Sequence, residues 1–215
     1  TTPTPPDVPT PPDVPAPYPA LVTLGRDEED GHILLNLEAV GSLTVTDTDR
    51  ARDILAALAV ELATSAWADD LRVTIVGACA DLEEALQTGR IRYLPSLARL
   101  LDELEQRALD DRAAFTDRGV TGLLDARARG LAADAWTPEI VLSIVPLTDQ
   151  HRRRLTGLLT TQPRVAIAAV TTGDPIGEWA LDLDGDDPTS AILHPSGLAL
   201  TLQRLPADSY RALLA

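Results

Sequence analysis

Asp47 and Asp49, one threonine apart and followed at once by Arg50, stand where a short apolar run gives way to a helical pattern. The start of a helix offers free backbone N–H groups and the positive end of the helix dipole, so it takes an anion. That anion can be an external phosphate or the chain's own carboxylate. Holding a phosphate in a loop of this kind needs glycines that let the backbone wrap the group. It also needs a lysine for the terminal phosphates and a Ser or Thr for Mg²⁺. The turn Thr46-Asp47-Thr48-Asp49-Arg50 has no glycine, and the chain has no lysine at all. Asp47 and Asp49 are therefore expected to satisfy the free N–H groups themselves and to repel a nucleotide. Arg50 is positioned to pair with a phosphate or with these aspartates, and the second reading is the one adopted.

Phosphoryl transfer also asks for an acid at the end of a central strand, to hold the metal and polarise water. The apolar run Glu139–Val145 ends in Ile144-Val145-Pro146-Leu147, and the next carboxylate, Asp149, comes after the chain has turned. Other constellations give less. Asp182, Asp184, Asp186 and Asp187 resemble the opening of a Ca²⁺ loop, but Pro188 follows and the twelfth position is Leu193 instead of Glu, so a solvated acidic loop is expected. His32, His151 and His194 are scattered without metal-ligand spacing, and Ser143 and Ser196 lack a nucleophile-elbow context. His151-Arg152-Arg153-Arg154 is the one basic cluster, read either as a site for an anion or acidic partner or as a solvated helix face. No catalytic residue, no metal ligand and no cofactor follow from these residues.

The elements that must position the turn are legible from periodicity. Residues 1–19, with TPPDVP in tandem from Thr4 and Thr10, read as a polyproline-II-like linker. Residues 20–215 read as one α/β domain. Leu21–Leu24 and His32–Leu37 read as strands around an acidic loop, Leu43–Thr46 as the strand before the turn, and Asp49–Thr64 as a helix with one apolar face. Leu71–Val76 is β-branched and suits an interior parallel strand. A short helix (Asp81–Leu86), a small strand (Ile91–Leu94) and a long helix (Leu97–Asp117) follow, with Gly119 as its C-cap and a further helical segment over Val120–Arg129. The charges of the long helix, Asp102, Glu103, Glu105, Arg107, Asp110 and Asp111, read as a solvated face. Glu139–Val145 is a buried strand, Thr148–Thr160 a helix with a Thr148 or Asp149 cap, and Val165–Thr171 another buried strand. Residues 178–204 read as short hairpin strands turning at Pro195-Ser196-Gly197, and Pro206–Ala215 as a final helix. Alternating strands and helices give a three-layer α/β sandwich of the P-loop NTPase-like kind. Its sheet is largely parallel, with short antiparallel strands at the N- and C-terminal ends.

Composition narrows the function classes. A formal net charge of -15 argues against a large basic surface for nucleic acid, so no direct nucleic-acid contact is expected. Cys79 is the only cysteine, which leaves no internal disulfide. No apolar run is long enough to cross a bilayer, so membrane insertion is not expected of this piece, although its parent chain can be anchored elsewhere. The absence of Met predicts a piece of a longer protein. All 18 basic residues being Arg, with abundant Ala, Leu, Asp and Pro, points to a GC-rich, actinobacterial source.

The order of elements resembles the FtsK/SpoIIIE-type motor ATPases, particularly the EccC-like ones of type VII secretion. The likeness is strongest from Glu103 to Val145, where ELEQRALDDRAAFTDRGVTGLLDARARG precedes a Pro-led apolar strand. It covers roughly Ala20–Arg204. Gly41–Gly77 resembles the family's Walker A unit in placement, and Thr171 and Thr172 would fall at its polar sensor position, a role not assigned to them here. With the glycines, lysine and strand-end acid missing, the resemblance implies a degenerate domain and not an enzyme. Such a domain would serve as a regulatory or protein-interaction module of a larger, cytoplasmic protein, like those in actinobacterial chains carrying LysM and bacterial transcriptional activator (BTAD) modules. Its partner would be another protein or the rest of its own chain, and self-association is possible. The alternatives are a nucleotide-binding or hydrolysing enzyme with an unconventional site, using Arg50 and Arg152–Arg154 in place of lysine, or a domain that stacks on itself or on FtsK/EccC-like motors.

Overall fold

A computed structural model describes residues 18–66, 68, 70–129, 131 and 136–214. The linker expected over residues 1–19 lies outside them except for its last two residues. Among the described residues ten strands form one sheet in the order β2-β1-β10-β9-β8-β3-β7-β6-β4-β5. Its parallel half comprises β3 (Ser42–Val45), β4 (Arg72–Val76), β5 (Ile91–Leu94), β6 (Glu139–Ser143), β7 (Ile167–Thr172) and β8 (Ala180–Leu183). The antiparallel extension comprises β1 (Leu21–Arg26), β2 (His32–Asn36), β9 (Ser190–His194) and β10 (Leu198–Leu202), joined to the parallel half through β8. The short terminal strands therefore continue the same sheet. This is an α/β, three-layer, P-loop NTPase-like fold.

Period-two alternation divides the core. On β4, β6 and β7 the side chains of Val73, Ile75, Ile140, Leu142, Ala168 and Val170 join α2 (Thr48–Thr64) on one face. Val76, Val141, Ile167 and Ala169 face the other way, onto α4 (Leu97–Arg118) and α6 (Asp149–Thr160). The second layer is anchored by Phe115 stacked on Trp136, ring centroids 4.4 Å apart. Burying an aromatic pair of this size contributes several kcal/mol.

Three expected elements change. His32–Leu37 is strand only to Asn36, because the Asn36 side chain accepts a hydrogen bond from Ala39 N and starts a one-turn helix α1 (Leu37–Val40). Gly41 ends that helix at φ +80°, and a Cβ there would lie 2.7 Å from the Arg164 guanidinium, so both the turn and the contact require glycine. Val120–Arg129 is helical only over α5 (Leu123–Ala128). The strand Glu139–Val145 stops at Ser143, since Ser143 Oγ accepts from Val145 N and bends the chain toward Pro146. The remaining helices are α3 (Leu82–Leu86) and α7 (Ala207–Leu213).

Candidate functional site

The expected site is the carboxyl edge of the parallel strands, where β3 runs into α2. Thr46 is held beside β8: its N–H donates to Leu181 O at 3.0 Å and its hydroxyl reaches Leu181 O and Asp182 Oδ1. Asp47 then takes extended geometry and caps the helix. Its Oδ1 accepts from Asp49 N at 2.9 Å and Arg50 N at 3.0 Å, and its Oδ2 accepts from Arg50 Nε at 2.6 Å. The same guanidinium donates to Asp184 O at 2.6 Å, which ties the turn to the loop after β8. The Arg50 amide, then its guanidinium, hold the Asp47 carboxyl below its ordinary range. Thr48 and Asp49 open the helix and are exposed.

The neighbouring strand ends carry hydroxyls. Thr44 and Thr171 Oγ1 lie 3.4 Å apart across β3 and β7, Ile176 N donates to Thr44 Oγ1, and Thr172 Oγ1 donates to Ile144 O at 3.3 Å. At the end of β4, Gly77 sits at φ +87°, where a Cβ would come within 2.6 Å of Val145 Cγ2. The chain past β6 is thus packed directly onto the end of β4, with Ser143, Ile144 and Val145 at the strand end where phosphoryl transfer would ask for an acid. The N–H groups that would meet a phosphate are taken by Asp47 Oδ1, and no glycine lines the turn. These residues do not fit a nucleotide phosphate in the P-loop manner.

The basic cluster His151–Arg154 is spread around α6. Successive residues point about 100° apart around a helix, and their partners differ accordingly. Arg152 binds Asp174 O and Pro175 O, while Arg154 binds Asp102 and Glu105 of α4, whose carboxylates hold its pKa up. Arg153 is exposed and forms no ion pair among the described residues, and His151 Nδ1 is buried without a hydrogen bond. The acidic loop closes on itself, with Asp184 and Asp187 accepting from Asp186 N and Thr189 N. Among the described residues no group of three or more His, Cys, Asp or Glu side chains is placed to hold a metal ion.

The strongest polar cluster is one that the sequence reading missed. Glu139, 1% exposed, opens β6 and accepts from Arg92 at 2.9 Å, Arg107 at 2.9 Å and Thr74 Oγ1 at 2.7 Å, with Arg72 at 3.6 Å. Arg92 also pairs with Glu103, and Arg107 with Asp111. Burial pulls the Arg92 pKa down, but Glu139 and Glu103 more than offset this and leave it raised. Glu103, Arg107 and Asp111 were expected on a solvated face; Arg107 instead turns inward to Glu139 with Asp111 beside it, and the part-exposed Glu103 joins the network through Arg92. The available signal was a carboxylate opening an otherwise apolar strand, since a buried charge demands partners.

No protein-family model matches the sequence, and no curated protein matches it significantly. Solved structures do. EssC (ATPases 2 and 3) from Geobacillus thermodenitrificans superposes with a TM-score of 0.66 at 14% identity, over 100% of this chain and 51% of that one. The pCW3 conjugation coupling protein TcpA, solved with ATPγS, gives a TM-score of 0.63 at 11% identity over 91% and 70%. The cytoplasmic domain of the Thermomonospora curvata type VII secretion ATPase EccC gives 0.56 at 15% identity over 86% and 26%. The chain thus spans about half of the EssC structure and a quarter of the EccC one. Its fold is that of the ATPase domains of these proteins. The expectation that the chain is not an enzyme is corrected by this finding: ATPases, one of them solved with an ATP analogue, share its fold. Among the described residues no helix is long and apolar enough to cross a membrane.

Proposed function

We propose that this chain is an ATPase-fold domain that acts as a regulatory, protein-interacting module of a larger cytoplasmic bacterial protein. It docks against other domains of its parent chain or against a partner in a motor-like assembly. The observation that carries this reading is the fastening of the β3–α2 turn. Asp47, Arg50 and the Asp184 carbonyl clamp it to the loop after β8, so the edge is a preformed polar surface with little ordering cost on association. LysM or BTAD modules are the kind of neighbours the parent chain would carry. The test is to supply the flanking parent domains in trans and follow binding by analytical ultracentrifugation. Saturable association that Arg50→Glu weakens at least tenfold is the expected result, and no association at ~100 μM, the weak end for domain interfaces, overturns it.

A second reading is favoured by one residue. Arg50 places a guanidinium at a helix N-terminus, where an anion is stabilised, and TcpA with the same fold was solved with ATPγS. Titration with ATP–Mg²⁺ separates the two readings. Saturable heat abolished by Arg50→Ala supports a nucleotide site of an unconventional kind, and heat unaffected by that change rules it out.

A further inference from the structure

The sheet ends in two edge strands, β2 and β5, and they are finished differently. At β5 the Arg90 carbonyl turns toward β4, accepting from Val73 N at 2.8 Å, so Ile91 and Tyr93 turn their backbone groups outward. Tyr93 N then donates to Glu83 Oε2 at 3.0 Å, and a carboxylate from α3 occupies that edge. At β2 two bonds fix which groups face β1: Asp27 N donates to Gly31 O and Leu37 N to Ala20 O, both at 3.0 Å. By alternation Ile33 and Leu35 turn their backbone to β1, while His32, Leu34 and Asn36 turn theirs outward. Among the described residues nothing meets the outward N–H of His32 or Leu34. The strand holds no proline and no Asp, Glu, Lys or Arg, and the irregularity of this hairpin lies on β1, between Thr23 and Gly25. Leu34, at its centre, is 53% exposed, whereas Ile33 and Leu35 face the core. This edge is open.

We propose that the β2 edge pairs with the β2 edge of a second copy of this chain, antiparallel about Leu34. The strand is self-complementary in that register. Leu34 meets Leu34 of the other copy and the two exchange both N–H···O bonds, while His32 lies opposite Asn36. Each of these residues already turns its backbone outward, so no side chain has to change face. The two Leu34 side chains, on Cα atoms roughly 5.5 Å apart, cover each other on the face turned away from the core. A twofold contact of this kind closes on itself and extends no further, because the β5 edge is occupied. Charge limits its strength. Asp27, Glu28, Glu29 and Asp30 precede β2 and Glu38 follows it. Asp30 is paired with Arg26 and Glu38 with Arg127, but Asp27, Glu28 and Glu29 form no ion pair among the described residues. Antiparallel pairing brings the acidic loop of one copy toward Glu38 of the other, and each chain carries a net charge of -15. Association is therefore weak at low salt and strengthened by added salt.

The test is sedimentation of the whole chain in low and high salt, read together with amide hydrogen exchange. A dimer with a dissociation constant on the order of 100 μM is expected, the weak end for small interfaces. It should tighten several-fold between ~50 mM and ~500 mM NaCl. The His32 and Leu34 amides should exchange several-fold more slowly as concentration rises, with those of β5 unchanged. Leu34→Glu sets two carboxylates opposite each other and should weaken the dimer at least tenfold, leaving the melting of the dilute monomer unchanged. Leu34→Cys should join two copies through a disulfide under mild oxidation, since directly paired Cα atoms lie within bridging range. Cys79 does not compete, because burial pushes its thiol pKa up. A chain that stays monomeric at ~1 mM in high salt overturns the proposal. So does a dimer unaffected by Leu34→Glu, which would place the contact on another face. Exchange of His32 and Leu34 that is equally slow at every concentration also overturns it, since the edge would then be covered within one chain.

Discussion

The two ends of the parallel sheet are built differently. At the amino end, Glu139 is buried and meets Arg92 and Arg107 at 2.9 Å each, with Glu103 and Asp111 completing the set. At the carboxyl edge, where this fold family places its ligand chemistry, the charges are exposed or part-exposed, as in the Asp47–Arg50 and Arg152–Asp174 pairs, and the buried polar groups are hydroxyls. Buried charge is costly and is tolerated only when fully paired, so a dense ionic cluster normally marks either catalysis or structure. Here it lies at the end where β4, β5, β6 and α4 are joined, away from the expected ligand edge. A perturbed charge cluster in this molecule is therefore a guide to what joins the layers.

The difference is open to direct attack. Glu139→Ala removes the buried carboxylate shared by the part-exposed Arg92 and Arg107, and a loss of roughly 2–4 kcal/mol is expected, somewhat less than for breaking a fully buried pair. The denaturant midpoint reads it. A loss under ~1 kcal/mol would mean that water enters freely and that the two ends do not differ in kind. Asp47→Ala removes a helix cap together with its part-exposed pair with Arg50 and should cost about 1–2 kcal/mol. Because the folded pKa of Asp47 lies below its ordinary 3.8, this contribution is complete above that value and is lost as pH falls through the folded pKa. The parent and Asp47→Ala melting curves should accordingly be separated at pH 6 and converge at strongly acid pH. Separation that persists there would assign the cap to something other than the ionised carboxylate.

What the sequence discloses follows the range of the contact. Asp47 bonds to amides two and three residues ahead, Thr148 caps His151 N, and Gly119 takes the left-handed conformation after α4, all decided within one turn. Interior strands announce themselves because a run such as VAIAAVT has no polar face to show. Glu139 is different. Its partners Thr74, Arg92 and Arg107 lie 65, 47 and 32 residues away, and a helix with charges all along it looks solvated until the strand beneath it is known to carry a carboxylate. The one-turn helix α1 escaped for a related reason, since Leu37 is apolar enough to extend a strand and only Asn36 and Gly41 mark the break. At the turn, local residues disclose the cap, whereas the tie from Arg50 to Asp184 O spans 134 residues and needed the fold.

The smallest effect bears most closely on how the amino end works. Asp111 sits at the margin of the Glu139 cluster: its Oδ2 is buried without a hydrogen bond, and Arg107 Nε lies 3.6 Å away while the rest of that guanidinium serves Glu139 and Thr137 O. Burial raises the Asp111 pKa above its ordinary value, against the pull of Arg107. A raised carboxyl pKa means that the folded state binds the proton more readily than the unfolded one. The ionised form is then a penalty at neutral pH, relieved as pH falls through the folded pKa. Asp111→Asn is therefore expected to match or exceed the parent at pH 7 by up to ~1 kcal/mol, with the gap shrinking as pH approaches 4. Thermal melts of both chains across that range measure it. A variant clearly less stable at pH 7 would make Asp111 a full member of the ionic cluster, and the amino end would then depend on both carboxylates of α4 and not on Glu139 and Glu103 alone.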